Sequence, residues 1–145
     1  MKAQDIKVGH IYYVDFEPTR KGEFGRHHMG LVLKRTVNQI TFITVPLTGN
    51  SDTCNKIKLD IKDLLPEHLR AKDTYAVYDQ IRTVNSSRFS NLVEDGKIVD
   101  VVVPDAVFDE VLKAIITNLT SDLSADRQAA LIERLQNWYL LHLVV

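Results

Sequence analysis

Gly9-His10-Ile11-Tyr12-Tyr13-Val14-Asp15-Phe16-Glu17-Pro18-Thr19 decides the fold class of this chain. From Ile11 to Phe16 it is β-branched and aromatic, the composition of a strand, and Pro18 stops it. A charged segment with two glycines follows, Thr19 to Met29, which reads as a loop between strands. Gly30 to Arg35 is a second short apolar run. Gln39 to Leu47 is a third, alternating at Ile40, Phe42 and Thr44. Thr48 to Asn55 is polar and turn-like. Lys56 to Ile61 alternates sharply, with Ile57, Leu59 and Ile61 on one face. Thr74 to Tyr78 and Gln80 to Val84 form a further strand that can break at Asp79.

The last third changes character. Phe108, Val111, Leu112, Ile115, Ile116 and Leu119 recur at helical spacing, with Asp105 as an N-cap after Pro104. Thr120 to Ser124 is a polar break. A second helix spans Ala125 to Leu141, with Ser124 as its cap. Its stripe of Leu131, Leu135, Trp138 and Tyr139 is expected to pack on the β-rich unit. The alternatives are a dimer interface or a partner's seat.

The whole chain bounds these readings. Its 145 residues suit a single domain with its own core. Hydrophobic residues at 45% and charged residues at 26% describe an ordinary globular protein. A net charge of −1 argues against a general electrostatic nucleic-acid binder, although a local basic patch is compatible with it. Cys54 is the single cysteine, so no internal disulfide forms, which suits a reducing cytoplasm. No neighbour marks it as a nucleophile. Met1 to Lys7 lacks the apolar run of a signal peptide, and no stretch approaches a membrane span.

Four blocks stand in order along the β-rich part: Asp15-Phe16-Glu17-Pro18-Thr19; Gly22-Glu23-Phe24-Gly25 ahead of Leu31-Val32-Leu33; Val45-Pro46-Leu47-Thr48; and Asp79-Gln80-Ile81-Arg82-Thr83-Val84 followed by Arg88-Phe89. Together they resemble the MazF/PemK toxins from Gly9 to Phe89, and Asp105 to Leu119 resembles that family's C-terminal helix. The resemblance implies one domain over 1–145, a β-rich α+β fold built on an SH3-like (MazF/CcdB-type) β-barrel with C-terminal helices. The helical segment 121–145 extends beyond it. It also implies a homodimer that cleaves single-stranded RNA at short motifs, without metal or other cofactor, until an antitoxin neutralises it.

Metal-free RNA cleavage needs a base, an acid and a cation at the phosphate. In the family an Arg opening the second strand and a Thr closing the third do this work. Thr48 matches the Thr, although it also suits a turn into Gly49-Asn50. The Arg falls on His28, with Arg26 two residues earlier. Imidazole exchanges protons near neutral pH, as a guanidinium does not. The expectation is therefore Arg26 as electrostatic clamp, His28 as general acid or base and Thr48 as phosphate ligand. If the loop is extended, Arg26 and His28 share a face and His27 points the other way. Adjacent His27 and His28 lack a well-spaced third metal ligand, and His10 and His68 are no evident partners. Glu23 either orients Arg26 or is a solvated charge. Arg20, Lys21, Phe24 and His27 are candidate RNA contacts. So are Arg82 and Arg88, for which ion pairing is an equal reading, and Gln80, for which backbone bonding is the commoner role. Tyr12 and Tyr13 belong to a core or interface more readily than to a base stack. The competing functions are a catalytically impaired RNA- or protein-binding module and a topoisomerase poison.

Overall fold

The computed structural model describes residues 1–23, 25–50 and 55–142. Phe24 and Cys54 lie outside the described residues. The strands are β1 (His10–Asp15), β2 (His27–Arg35), β3 (Thr41–Thr48), β4 (Lys56–Leu59), β5 (Thr74–Val77), β6 (Arg82–Asn85), β7 (Phe89–Ser90), β8 (Leu92–Glu94), β9 (Lys97–Val99) and β10 (Val101–Val102). Two helices follow, α1 (Asp105–Thr120) and α2 (Ala125–His142). The main sheet runs β10-β1-β2-β3-β5-β4, with β6 added to β3 and β7 to β1. All its pairs are antiparallel.

Alternation along β1 sends side chains into two separate cores. Ile11 joins Leu31, Val45, Leu47, Leu59 and Ala76, a layer that α1 covers with Val111 and Ile115. Tyr12 and Val14 join Phe16, Val32, Phe42, Val84 and Phe89 on the other side. Burial on both faces explains why this segment is apolar almost without interruption. In the second core Phe89 meets Phe42 edge-on at 5.6 Å and Tyr12 at 6.0 Å, a favoured aromatic geometry.

The ladder does not close into a barrel. Its end strands β10 and β4 are unpaired with one another. β6 and β7 are instead joined by the single 3-10 turn Ser86–Arg88, so β3 and β1 are linked there through the chain rather than through hydrogen bonds. What holds is a mostly antiparallel sheet followed by C-terminal helices.

Two helix expectations need correction. Asp105 is the first helical residue of α1, after Pro104, and caps nothing with its side chain. Its charge sits in the first turn, where the helix dipole favours it. Ser124 does cap α2: its Oγ accepts the Arg127 N–H at 3.2 Å. The expected packing of α2 on the sheet is absent. No residue of α2 is buried, and Leu135, Trp138 and Tyr139 are about half exposed (44%, 51% and 51%). The sheet face that it would cover already carries Val111 and Ile115 of α1. Two of the six residues of the α1 stripe are themselves bare, Ile116 and Leu119. Among the described residues no helix is long and apolar enough to cross a membrane.

Candidate active site at the end of the sheet

β2 and β3 run antiparallel, with Met29 opposite Leu47. The next residues outward, His28 and Thr48, therefore face one another on the opposite side of the sheet from Met29. A cavity of about 410 Å³ opens around this end of the sheet, reached from both faces: His28 and Thr48 line it together with Met29, Asn50, His68 and Lys72. Two of the three catalytic candidates thus come together through strand register alone.

Thr48 is 5% exposed, and its Oγ1 accepts the Asn50 N–H at 3.1 Å. This is the turn role open to it from sequence. The hydroxyl proton is a second valence that this bond does not use. His28 is partly buried. Burial pushes its pKa below the ordinary 6.5, and the nearby charges of Arg26 and then His27 push the same way. The imidazole is therefore held in its neutral form at neutral pH.

Arg26 is not in the strand. Its φ is +69°, in the left-handed region, and β2 starts one residue later. Strand alternation thus separates His28 from His27 but does not reach Arg26. Glu17 places it: its Oε1 accepts the Arg26 N–H at 2.7 Å, and its Oε2 accepts Thr19 N–H at 3.1 Å. These bonds, Arg26's first, hold the Glu17 carboxyl below its usual range. Gly25 permits this closeness, since a Cβ there would lie 2.5 Å from Thr19 Oγ1 and 2.7 Å from Glu17 Oε1. The Arg26 side chain does not line the cavity, and it reaches His28 through its field.

The other candidates divide. Glu23 orients its own loop rather than Arg26: its Oε2 accepts the Arg20 N–H at 3.1 Å. Arg20 and Lys21 are exposed beside it and do not line the cavity. His27 Nε2 lies 3.6 Å from Asp15 Oδ1. Arg82 donates from Nη1 to the Phe16 carbonyl at 2.6 Å, and its guanidinium sits 6.0 Å over the Phe16 ring, so it braces the end of β1. Gln80 lies in the turn from β5 to β6, its N–H bonded to the Val77 carbonyl at 3.1 Å. Arg88 closes the turn after β6, partly buried.

Sequence reading misses Lys72 and sets His68 aside, yet both line the cavity; Tyr13, assigned to a core or interface, touches the site only through His68. His68 lies on the short 3-10 segment Glu67–Leu69, and its Nε2 is 3.2 Å from the Tyr13 hydroxyl. Only the fold brings that segment against β1. Among the described residues no three His, Cys, Asp or Glu side chains gather as metal ligands would.

No curated protein matches the chain. Among solved structures it is similar to a MazF from Deinococcus radiodurans, at 20% identity and a TM-score of 0.56 over 79% of this chain and 96% of that one. It is also similar to an endoribonuclease in complex with its cognate antitoxin from Mycobacterial species, at 17% identity and a TM-score of 0.53 over 79% and 94%. A MazE–MazF structure from Deinococcus radiodurans matches at 20% identity with a TM-score of 0.50, over 81% and 96%. At these identities the likeness is one of fold. The model of the family described as PemK-like, MazF-like toxin of type II toxin-antitoxin systems matches residues 7–119, and on that match, across most of its length, this chain belongs to the family.

Proposed function

We propose that this protein is a metal-independent endoribonuclease toxin that cuts single-stranded RNA at selected sequences. The observation that carries the reading is the single cavity lined by both the partly buried His28, whose pKa burial lowers, and Thr48. Neutral His28 takes the proton of a ribose 2′-hydroxyl, whose oxygen then attacks the adjacent phosphorus. Thr48 donates its hydroxyl proton to a non-bridging phosphate oxygen, and Arg26 adds positive potential as charge builds there. The bond from phosphorus to the 5′-oxygen breaks, and that oxygen takes its proton from His68, which lines the same cavity with its Nε2 3.2 Å from the Tyr13 hydroxyl. The products are a 2′,3′-cyclic phosphate and a 5′-hydroxyl.

Arg20, Lys21, Glu23, Phe24, His27, Gln80 and Arg88 are proposed contacts for the rest of the RNA, and Arg82 supports the strand beneath them. The acting form is a cytoplasmic homodimer of SH3-like barrels, in which the Ser86–Arg88 turn bridges the barrel seam. An antitoxin silences it by filling the RNA groove. Solved relatives that carry an antitoxin support that partner. A second reading, a MazF-fold binding module with impaired catalysis, is favoured by one observation: the Arg26 guanidinium stands off the cavity wall. Incubating the purified protein with long RNA in the presence of a chelator separates the two. Discrete cuts with cyclic-phosphate ends support cleavage. Retained binding without cuts supports the module.

A further inference from the structure

The cavity at His28 does not end there. A second opening of about 420 Å³ adjoins it and shares Gly49, Asn50, Ala71, Lys72 and Asp73 with it. Lys62 and Tyr75 complete its wall. The sheet register makes the two continuous. Thr48 pairs with Tyr75, and Tyr75 pairs with Lys58, so one row of side chains leads from the candidate active site across β5 to β4.

That row is basic although the whole chain is not. The Lys58 Nζ is 3.5 Å and the Lys62 Nζ 3.7 Å from the same Asp73 carboxylate. One carboxylate neutralises one of these two ammonium groups. Lys72, whose stem packs over Gly49, adds a further charge on the wall that both cavities share. Lys56 stands 4.8 Å over the Tyr75 ring. Asp73 is the one acidic residue among the described lining residues of the second cavity. Cations interleaved with an aromatic ring, along an open groove, form the general pattern that binds single-stranded nucleic acid.

We propose that Lys58, Lys62 and Tyr75 form a binding track for the RNA next to the scissile bond. The lysines take backbone phosphates and Tyr75 stacks a base. The track rests on the RNA-cleaving reading and extends it to residues outside the four family-like blocks. An acidic peptide would satisfy the lysines but would leave the stacking surface and its continuity with the His28 cavity unexplained.

The test is fluorescence anisotropy of the full chain with a labelled 12-nucleotide single-stranded RNA, fully 2′-O-methylated so that it cannot be cut. It is repeated over a salt series. Each phosphate contact on single strands contributes about 0.7 to the slope of log affinity against log salt. Lys58→Ala with Lys62→Ala should make that slope shallower by about 1.4. Both side chains are at least half exposed (61% and 50%), so the fold tolerates their loss, which a melting curve verifies. Tyr75→Ala should weaken binding at least fivefold, and Tyr75→Phe should restore most of it. Unchanged slope and affinity in a protein that still cuts RNA would overturn the track alone. If the protein neither cuts RNA nor binds the 12-mer, both readings fall. Lost binding of polyglutamate with unchanged RNA affinity would assign the surface to an acidic peptide and overturn the proposal.

Discussion

Gly30→Ala tests the packing that positions the site. Gly30 lies two residues from His28 on the same face of β2, over the second core. A Cβ at this position would stand 2.8 Å from Thr44 Cγ2, 2.8 Å from Val14 Cγ2 and 3.4 Å from Phe16 Cζ. Carbon atoms rest at about 3.5–4.0 Å, so two of these contacts are short by about 0.7 Å. Thr44 and Val14 are both 0% exposed and stiff at χ1, so neither can swing away. Overpacking of this kind costs about 1–3 kcal/mol. Removing a strand glycine returns about 0.5–1 kcal/mol. At the middle of these ranges the clash wins, with a net loss of about 1 kcal/mol and a fall in Tm of roughly 3–5 °C. Relief requires β2 to move away from β1 or β3, which displaces His28, and cleavage should fall more than stability explains. Differential scanning calorimetry and an RNA cleavage assay on the same preparation measure both. An unchanged or higher Tm would refute the packing argument. A lower Tm with full activity would uncouple Gly30 from the site.

Other predictions concern individual groups. Burial and Arg26 hold His28 neutral, so Arg26→Gln should raise the His28 pKa toward 6.5 in an NMR titration; an unmoved value would deny that the guanidinium acts there. The depressed pKa also fixes a stability trend. The His28 contribution is complete above about 6.5, and it is lost as pH falls through the depressed value, because the unfolded chain takes up the proton first. Arg82→Met removes a charged donor from the Phe16 carbonyl and should cost about 1.5–3 kcal/mol in denaturant unfolding. Ending the chain at Ser124 should change Tm by less than about 3 °C, since α2 buries no residue; a larger drop would mean that α2 supports the fold.

The sequence carried much of this. β-Branched runs marked β1, β2 and β3 because those strands are buried on one or both faces. The break at Asp79 is real: β5 and β6 separate there, and the Asn55 Nδ2 donates to Asp79 Oδ2 at 2.7 Å. From Phe89 to Val102 the strands are two or three residues long, too short for any period to show. The second helix was legible as a helix, but its packing was not, because a stripe at helical spacing does not say which surface is free to receive it. At the site, His28 and Thr48 could be read from their blocks, and their meeting is a consequence of register. Arg26 depended on a left-handed backbone held by Glu17, which no pattern announces. His68 and Lys72 come from segments without periodicity and reach the cavity only through tertiary folding.

Long mixed-sequence RNA, incubated with the purified chain and with His28→Ala in a chelator, tests the central claim most directly. The account predicts discrete cuts ending in 2′,3′-cyclic phosphate for the native chain, and at least a hundredfold slower cleavage without His28. Equal cutting by both proteins would contradict it.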